Sequence, residues 1–264
     1  MAGRFNGITD SQWSIIKPFL PCKKTRRGRP YANLRCVINS ILHVLIEGGR
    51  WVSIPDGKVW APKSTAYGWL KKMATNGTLD KVLSAVIKQA DSKEIIDWDN
   101  VEFDGTFSPG LGGGEMVEYG YKGKGSTIHV VADGNGFGIN LTVTAANGDE
   151  RSEVIPLLSA SHIRKDGSIS KGHGDKGYDS KSLRNDLINI GIKPIIPYRR
   201  FKNRAQKNVN KASSKKRWLI ERFFSWIKRK FRRIATRWER KMIIWKGFIK
   251  IAIIMIWVEK LIFG

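Results

Sequence analysis

Thr127-Ile128-His129-Val130-Val131-Ala132-Asp133-Gly134-Asn135-Gly136 is the stretch on which the architecture of the chain turns. A run rich in β-branched residues leads straight into Asp-Gly-Asn-Gly, a strong hairpin turn, and Ile139 to Thr144 returns as the partner strand. Working outward, Val101 to Phe107 reads as a strand ahead of the hairpin. Beyond it come a helix over about Ser152 to Ser161, a strand over Ile169 to Gly174 and a helix over Lys181 to Asn189. Pro194-Ile195-Ile196-Pro197 reads as a short buried strand, Lys202 to Ser214 as a basic loop, and a further helix surrounds Glu221. The order β-β-β-α-β-α-β-α predicts an α/β fold (α+β overall), a mixed sheet with flanking helices.

Upstream of Asp99 the periodicity is helical. Thr9-Asp10-Ser11-Gln12 is a capping-box pattern that starts a short helix through Trp13, Ile16 and Phe19. Tyr31 to Glu47 reads as a second helix stopped by Gly48-Gly49, Ser64 to Thr75 as a third and Leu79 to Ala90 as a fourth. Short helices with basic connections predict a small all-helical domain of helix-turn-helix type over 1–95, followed by a catalytic domain over 96–264.

Charge points to the partner. The net charge is +24, and it is unevenly spread. Residues 1–75 carry 13 basic and 3 acidic side chains, residues 76–198 carry 13 and 17, and residues 199–264 carry 21 and 3. Two basic ends around an acidic middle suit a polyanion held at both ends with a cation between, and double-stranded DNA is the expected polyanion. Cys22 and Cys36 are too few for a disulfide framework and lack metal-site spacing. No signal-peptide pattern opens the sequence. The apolar tail Met242 to Phe263 is interrupted by Lys246, Lys250, Glu259 and Lys260, so it reads as a buried helix rather than a membrane span. A cytoplasmic, nucleoid-associated protein is expected, with no membrane partner.

Three acids stand where chemistry could use them. Asp104 closes the first strand, Asp175 follows the fourth, and Glu221 sits on a helix among eighteen Lys and Arg between Arg199 and Lys241. Sites in open sheets form at the carboxyl ends of strands, so the two aspartates can converge while Glu221 approaches from its helix. Three carboxylates suit Mg²⁺, a hard cation that takes oxygen ligands and keeps water. Each acid also has a plainer reading: Asp104 as a turn residue, Asp175 as a local cap, Glu221 as a partner of Arg217 or Ser225. Glu102, Asp133 and Asp179 compete, and turn chemistry explains Asp133 fully. The histidines show no ligand spacing and read as structural. The Gly-rich segment Gly105 to Gly125 fails both the dinucleotide fingerprint and the P-loop pattern, so no nucleotide cofactor is expected and a mobile loop beside the site is the better reading.

Ordered segments along nearly the whole chain carry a resemblance. They include Arg27-Gly28-Arg29-Pro30, Gly49-Arg50-Trp51, Asp104-Gly105-Thr106, Tyr121-Lys122-Gly123-Lys124-Gly125, Ala146-Asn147-Gly148-Asp149-Glu150-Arg151, Asp175-Lys176-Gly177-Tyr178-Asp179-Ser180 and Ile220-Glu221-Arg222-Phe223-Phe224. The chain resembles bacterial insertion-sequence transposases of the DDE class, in the insertion-sequence-five-like group. The resemblance implies a ribonuclease-H-like catalytic domain with Asp104, Asp175 and Glu221 as catalytic, metal-binding triad. It also implies Mg²⁺, with Mn²⁺ able to substitute and two ions per site. Of the family's signature around its last acid, Arg217, Glu221 and Lys228 match, while Ser214 replaces a tyrosine.

On that reading Arg217 and Lys228 hold phosphates near the cut. Ser64, Lys71 and Lys72 on the helix 64–75, and Arg232 and Arg233 on a basic helix 228–241, hold the flanking duplex. Arg27 and Arg29 lie along a narrow minor groove or touch phosphates. A homodimer or larger assembly is expected on transposon ends and target DNA. Two rivals stay open: a repressor or architectural protein that has lost catalysis, and a ribonuclease-H-like nuclease that cuts without joining.

Overall fold

A computed structural model describes residues 5–22, 30–161, 170–199 and 218–264. The chain divides into two compact units: Met1–Ser92 with Ser108–Glu115 and Trp226–Gly264, and Lys93–Phe107 with Met116–Ser225. A single cut near residue 95 does not reproduce this division, because the C-terminal segment joins the N-terminal helices.

In the first unit Thr9 caps α1 (Asp10–Ile16) through a complete capping box. Asn33 caps α2 (Leu34–Glu47), and α3 (Lys63–Thr75) and α4 (Thr78–Ser92) follow. These helices gather around α9 (Met242–Phe263), which touches α1, α2, α3 and α4. A helix apolar on nearly every side has to be enclosed by others, and Trp245, Phe248, Ala252 and Trp257 are indeed fully buried. Each buried Leu, Ile or Phe side chain of this kind contributes about 1.5–3 kcal/mol. No described helix is long and apolar enough to cross a membrane.

The expected basic helix 228–241 is not formed. α7 (Trp218–Lys230) stops at Phe231, α8 (Arg232–Ala235) is one turn, and α9 begins only at Met242. Phe231, Ile234 and Arg237 are all buried, and Phe231 leaves helical backbone at φ −112°, ψ 77°. The stretch Ser108–Glu115 is sewn onto this region. Arg237 N–H donates to Pro109 O at 2.8 Å, Glu115 N–H to Arg240 O at 2.9 Å, and Met242 N–H to Glu115 Oε2 at 2.8 Å.

The second unit holds the sheet, built from β1 (Asn100–Pro109), β2 (Glu118–Gly120), β3 (Gly123–Asp133), β4 (Gly138–Ala145), β5 (Ser170–His173) and β6 (Ile192–Ile195). β1 lies between β3 and β5; β3 pairs antiparallel with β2 and β4, while β1, β5 and β6 run parallel. This is the mixed α/β sheet the sequence predicts, with one strand more. The segment expected as a mobile loop instead carries the end of β1, the β2 hairpin and the start of β3. Pairing of Glu118, Tyr119 and Gly120 with Gly125, Lys124 and Gly123 satisfies the backbone polar groups there. α5 (Val154–Ser159) and α6 (Lys181–Asn189) bury Leu157, Leu158, Leu183 and Leu187 against Val101, Phe103 and Val131. α7 packs on the hairpin so closely that a Cβ on Gly138 would stand 2.6 Å from Phe223 Cζ.

Asp133 is a turn residue, as its sequence context predicts. Its carboxylate accepts from Phe137 N–H at 2.7 Å and Asp97 N–H at 3.2 Å. Burial nevertheless outweighs those bonds and raises its pKa from 3.8 to about 6. A carboxyl whose folded pKa lies above its unfolded value favours folding most when protonated, so stability is lost as pH rises from about 4 through about 6. Urea unfolding of Asp133→Asn should therefore show the variant gaining about 2–3 kcal/mol on the wild type between pH 4 and pH 7.5. A pH-independent difference would mean that Asp133 stays ionised throughout.

Candidate active site

Asp104 and Asp175 belong to the segments of two paired parallel strands. Asn100, Val101 and Glu102 of β1 align with Lys171, Gly172 and His173 of the adjacent parallel strand β5. The paired register ends there; Asp104 continues along β1 and Asp175 follows β5 by two residues. Both aspartates also make the local bonds their plainer readings require: Asp104 Oδ1 accepts from Gly105 N–H at 2.8 Å, and Asp175 Oδ1 from Gly177 N–H at 2.5 Å.

Tyr178 records how the carboxylates gather. Its hydroxyl is buried, and burial followed by the charges of Asp104, Glu150 and Asp175 pushes its pKa well above the ordinary tyrosine value. Glu150 is the acid that sequence reasoning passed over, although it lies in a segment quoted for the resemblance. Its Cδ lies 3.5 Å from where a Cβ on Gly105 would stand. Its pKa is raised by burial and by Asp175 and Asp149, against the pull of Lys122. No spacing rule links Glu150 to Asp104 or Asp175, since the contact arises from the turn after β4.

Glu221 arrives on α7. Ile220 N–H, in the first turn of that helix, donates to Glu102 Oε2 at 3.1 Å, so Glu102 is a structural cap. Arg222 Nη2 donates to Asn135 O at 2.9 Å and fixes the helix to the hairpin turn. Glu102 and Asp104 share one face of β1 by strand alternation, and Glu221 follows the residue bonded to that face. Ile220, Phe223 and Ile227 of α7 are buried, as are Phe231 and Ile234 beyond it, whereas Trp226 is exposed. Asp179 is structural too: burial alone would raise its pKa, but Arg199 N–H at 2.7 Å and Arg184 at 2.8 Å bring it below the usual value.

Among the described residues, no three His, Cys, Asp or Glu side chains already form one coordination sphere. Mg²⁺ asks for less, being held by one or two carboxylates with water and phosphate oxygens completing its shell. The all-oxygen donors at Asp104, Glu150 and Asp175 fit that requirement. The described histidines make structural bonds instead, His43 to Ser53 O, His129 to Thr144 Oγ1 and His173 to Asn100 Oδ1. Burial holds His129 down to about 4, hence neutral at physiological pH.

The residues expected to touch DNA divide. Ser64, Lys71 and Lys72 are exposed on α3, with Lys72 Nζ 4.7 Å from the Trp69 ring centre. Lys228, seven residues after Glu221 on α7, is half-buried, and Arg232 is exposed. Arg233 corrects its expectation: it is buried, its Nε 2.8 Å from Glu239 Oε1 and its Nη1 3.0 Å from Gly49 O, so its donors serve the fold. Arg27, Arg29 and Arg217 lie outside the described residues, as do Ser214 and the loop Lys202 to Ser214.

Comparison with known proteins follows the same lines. The family described as "Transposase DDE domain" matches residues 89–257, more than half of the chain. "Putative transposase of IS4/5 family" matches residues 8–83. The chain is similar to the putative transposase for insertion sequence element IS402 of Burkholderia cepacia, 32% identical over 50% of this chain and 62% of that one. It is also similar to the transposase for IS1106 of Neisseria meningitidis serogroup B, 31% identical over 44% of this chain and 38% of that one. The chain thus spans less than two thirds of these relatives' length. Its fold matches the piggyBac transposase in a synaptic complex with hairpin DNA, with a TM-score of 0.55 at 11% identity, covering 97% of this chain and 73% of that one. The shared architecture is the ribonuclease-H-like mixed sheet with its helices.

Proposed function

The chain belongs to the transposase DDE-domain family, and on that basis we propose that it is a DNA transposase acting on insertion-sequence ends. Asp104, Asp175 and Glu221 form its catalytic triad and would hold Mg²⁺, or Mn²⁺ in its place, as one or two ions. When bound, the metal supplies an activated attacking oxygen and a steadied leaving oxygen. The first step is hydrolysis: water attacks the phosphorus at the element's end, the bond to the 3′ oxygen breaks, and a 3′-hydroxyl is released. In the second, that hydroxyl loses its proton, attacks a target phosphodiester and displaces the target's 3′ oxygen. No Ser, Cys or Tyr nucleophile is needed.

The observation that supports this reading is the pairing of parallel β1 and β5, with Asp104 within β1, Asp175 just after β5 and the charges of both acting on the buried Tyr178. The protein's own task is to position strands and balance charge. Lys228 follows Glu221 by two helical turns on one stripe of α7 and is proposed to hold a phosphate near the cut; Arg217 is proposed for the same task. The exposed Ser64, Lys71 and Lys72 of α3, with Arg232, Arg27 and Arg29, are proposed to hold the duplex. A functional boundary near residue 95, with DNA recognition before it and catalysis after it, belongs to this proposal. So does a dimer or larger assembly, since two ends must be processed together.

The test uses a labelled duplex bearing the element's end, with and without Mg²⁺. Cleavage followed by joined products is expected. Binding without cleavage would instead indicate a repressor, and cleavage without joining a nuclease.

A further inference from the structure

The hairpin formed by β2 and the start of β3 has no task in the chemistry above, yet it stands at its rim. Tyr119 pairs with Lys124 across the antiparallel register, and Lys124 Nζ lies 5.6 Å from the Tyr119 ring centre. Tyr121 and Lys122 form the turn. Both tyrosine rings face water, Tyr119 at 74% exposure and Tyr121 completely.

This hairpin is braced. A Cβ on Gly120 would fall 2.2 Å from Ala146 O, and Ala146 N–H donates to Gly125 O at 3.2 Å. Ala146 opens the turn that ends at Glu150, and the charge of Lys122 is felt at the Glu150 carboxyl. The hairpin carrying the two rings and two ammonium groups is thus packed on the turn that leads to Glu150, with Lys122 close enough to act on that carboxyl.

Single exposed apolar side chains need no explanation, but alternating Tyr and Lys beside an acidic site has a recognisable use. Base rings stack on exposed aromatics while lysines follow the phosphates, the arrangement by which proteins grip single strands. Paired bases in a duplex already stack on each other, so their faces are covered. We propose that Glu118–Gly125 is a stacking platform for an unpaired nucleotide of the DNA strand beside the scissile phosphodiester, with Tyr121 under the base and Lys122 and Lys124 at flanking phosphates. The proposal rests on the DNA-cleaving reading above and adds the strand state that the site receives.

The experiment measures affinity of the full chain for a single-stranded oligonucleotide bearing one 2-aminopurine, and for the same sequence as duplex. Wild type, Tyr121→Ala and Tyr121→Phe are compared. Tyr121→Ala should bind the single strand about 10-fold more weakly and lose 2-aminopurine quenching, because one base–aromatic stack is removed. Its duplex affinity should stay within about 2-fold, and Tyr121→Phe, which keeps the ring, should match wild type. Tyr121 is fully exposed, so these variants fold as the parent does. Equal losses on single strand and duplex, or no loss on either, would overturn the platform while leaving the transposase reading intact. Failure of the wild type to bind either DNA would overturn both.

Discussion

Asp104→Asn, Asp175→Asn and Glu221→Gln should each lower strand cleavage by about 10³-fold or more, with affinity for duplex DNA within about 3-fold of wild type. Metal-assisted catalysis contributes several kcal/mol to the transition state, and each 1.36 kcal/mol is tenfold in rate. Binding should survive because these side chains are negative and do not attract phosphate. Asp104 and Asp175 each keep an oxygen for their backbone bonds as Asn, so the local turns at Gly105 and Gly177 should persist. Asp179→Asn is the contrast: its carboxylate serves Arg184 and Arg199 N–H, so the cost should fall on stability. Single-turnover cleavage at saturating protein separates rate from affinity. Any triad variant that retains more than about one hundredth of the wild-type rate would strike that residue from the site.

Arg233→Ala should destabilise the first unit by about 3–5 kcal/mol, because it leaves the buried carboxylate of Glu239 without its counter-charge. Burial already pushes the Glu239 pKa up, and Arg233 is the foremost of the groups that oppose it, ahead of the backbone bonds from Glu239 and Trp238. With Arg233 gone, Glu239 should be driven further toward its protonated form. Its stability contribution is then lost as pH rises, so the penalty should be larger at pH 8 than at pH 5. Urea unfolding at the two pH values measures this directly. Arg232→Ala, at an exposed neighbour, should change stability by no more than about 0.5 kcal/mol and show itself in DNA affinity instead. If Arg233→Ala unfolds like the wild type but binds DNA less well, Arg233 returns to the DNA-contacting set.

The two arginines mark the limit of sequence reasoning in this chain. Arg232 and Arg233 are indistinguishable by residue type and adjacent in a basic run, yet one faces water and the other is enclosed with Glu239 and the Gly48 and Gly49 carbonyls. What separates them is the local backbone: Phe231 leaves helical geometry and α8 is a single turn in which Arg233 and Ile234 are buried. Glu150 escaped notice for a related reason. Its proximity to Gly105 joins residues far apart in sequence, and no local pattern encodes such a meeting.

Local chemistry was readable where it is self-sufficient. The Thr9–Gln12 capping box, the Asp133 turn and the strands on either side of it rest on interactions spanning a few residues, so composition and spacing determine them. The tertiary structure alone decided the rest: the parallel pairing of β1 with β5, the capping of α7 by Glu102, and the enclosure of α9 by the N-terminal helices. An apolar helix specifies that it must be buried, but burial is non-directional, and only the packed fold selects which surfaces cover it.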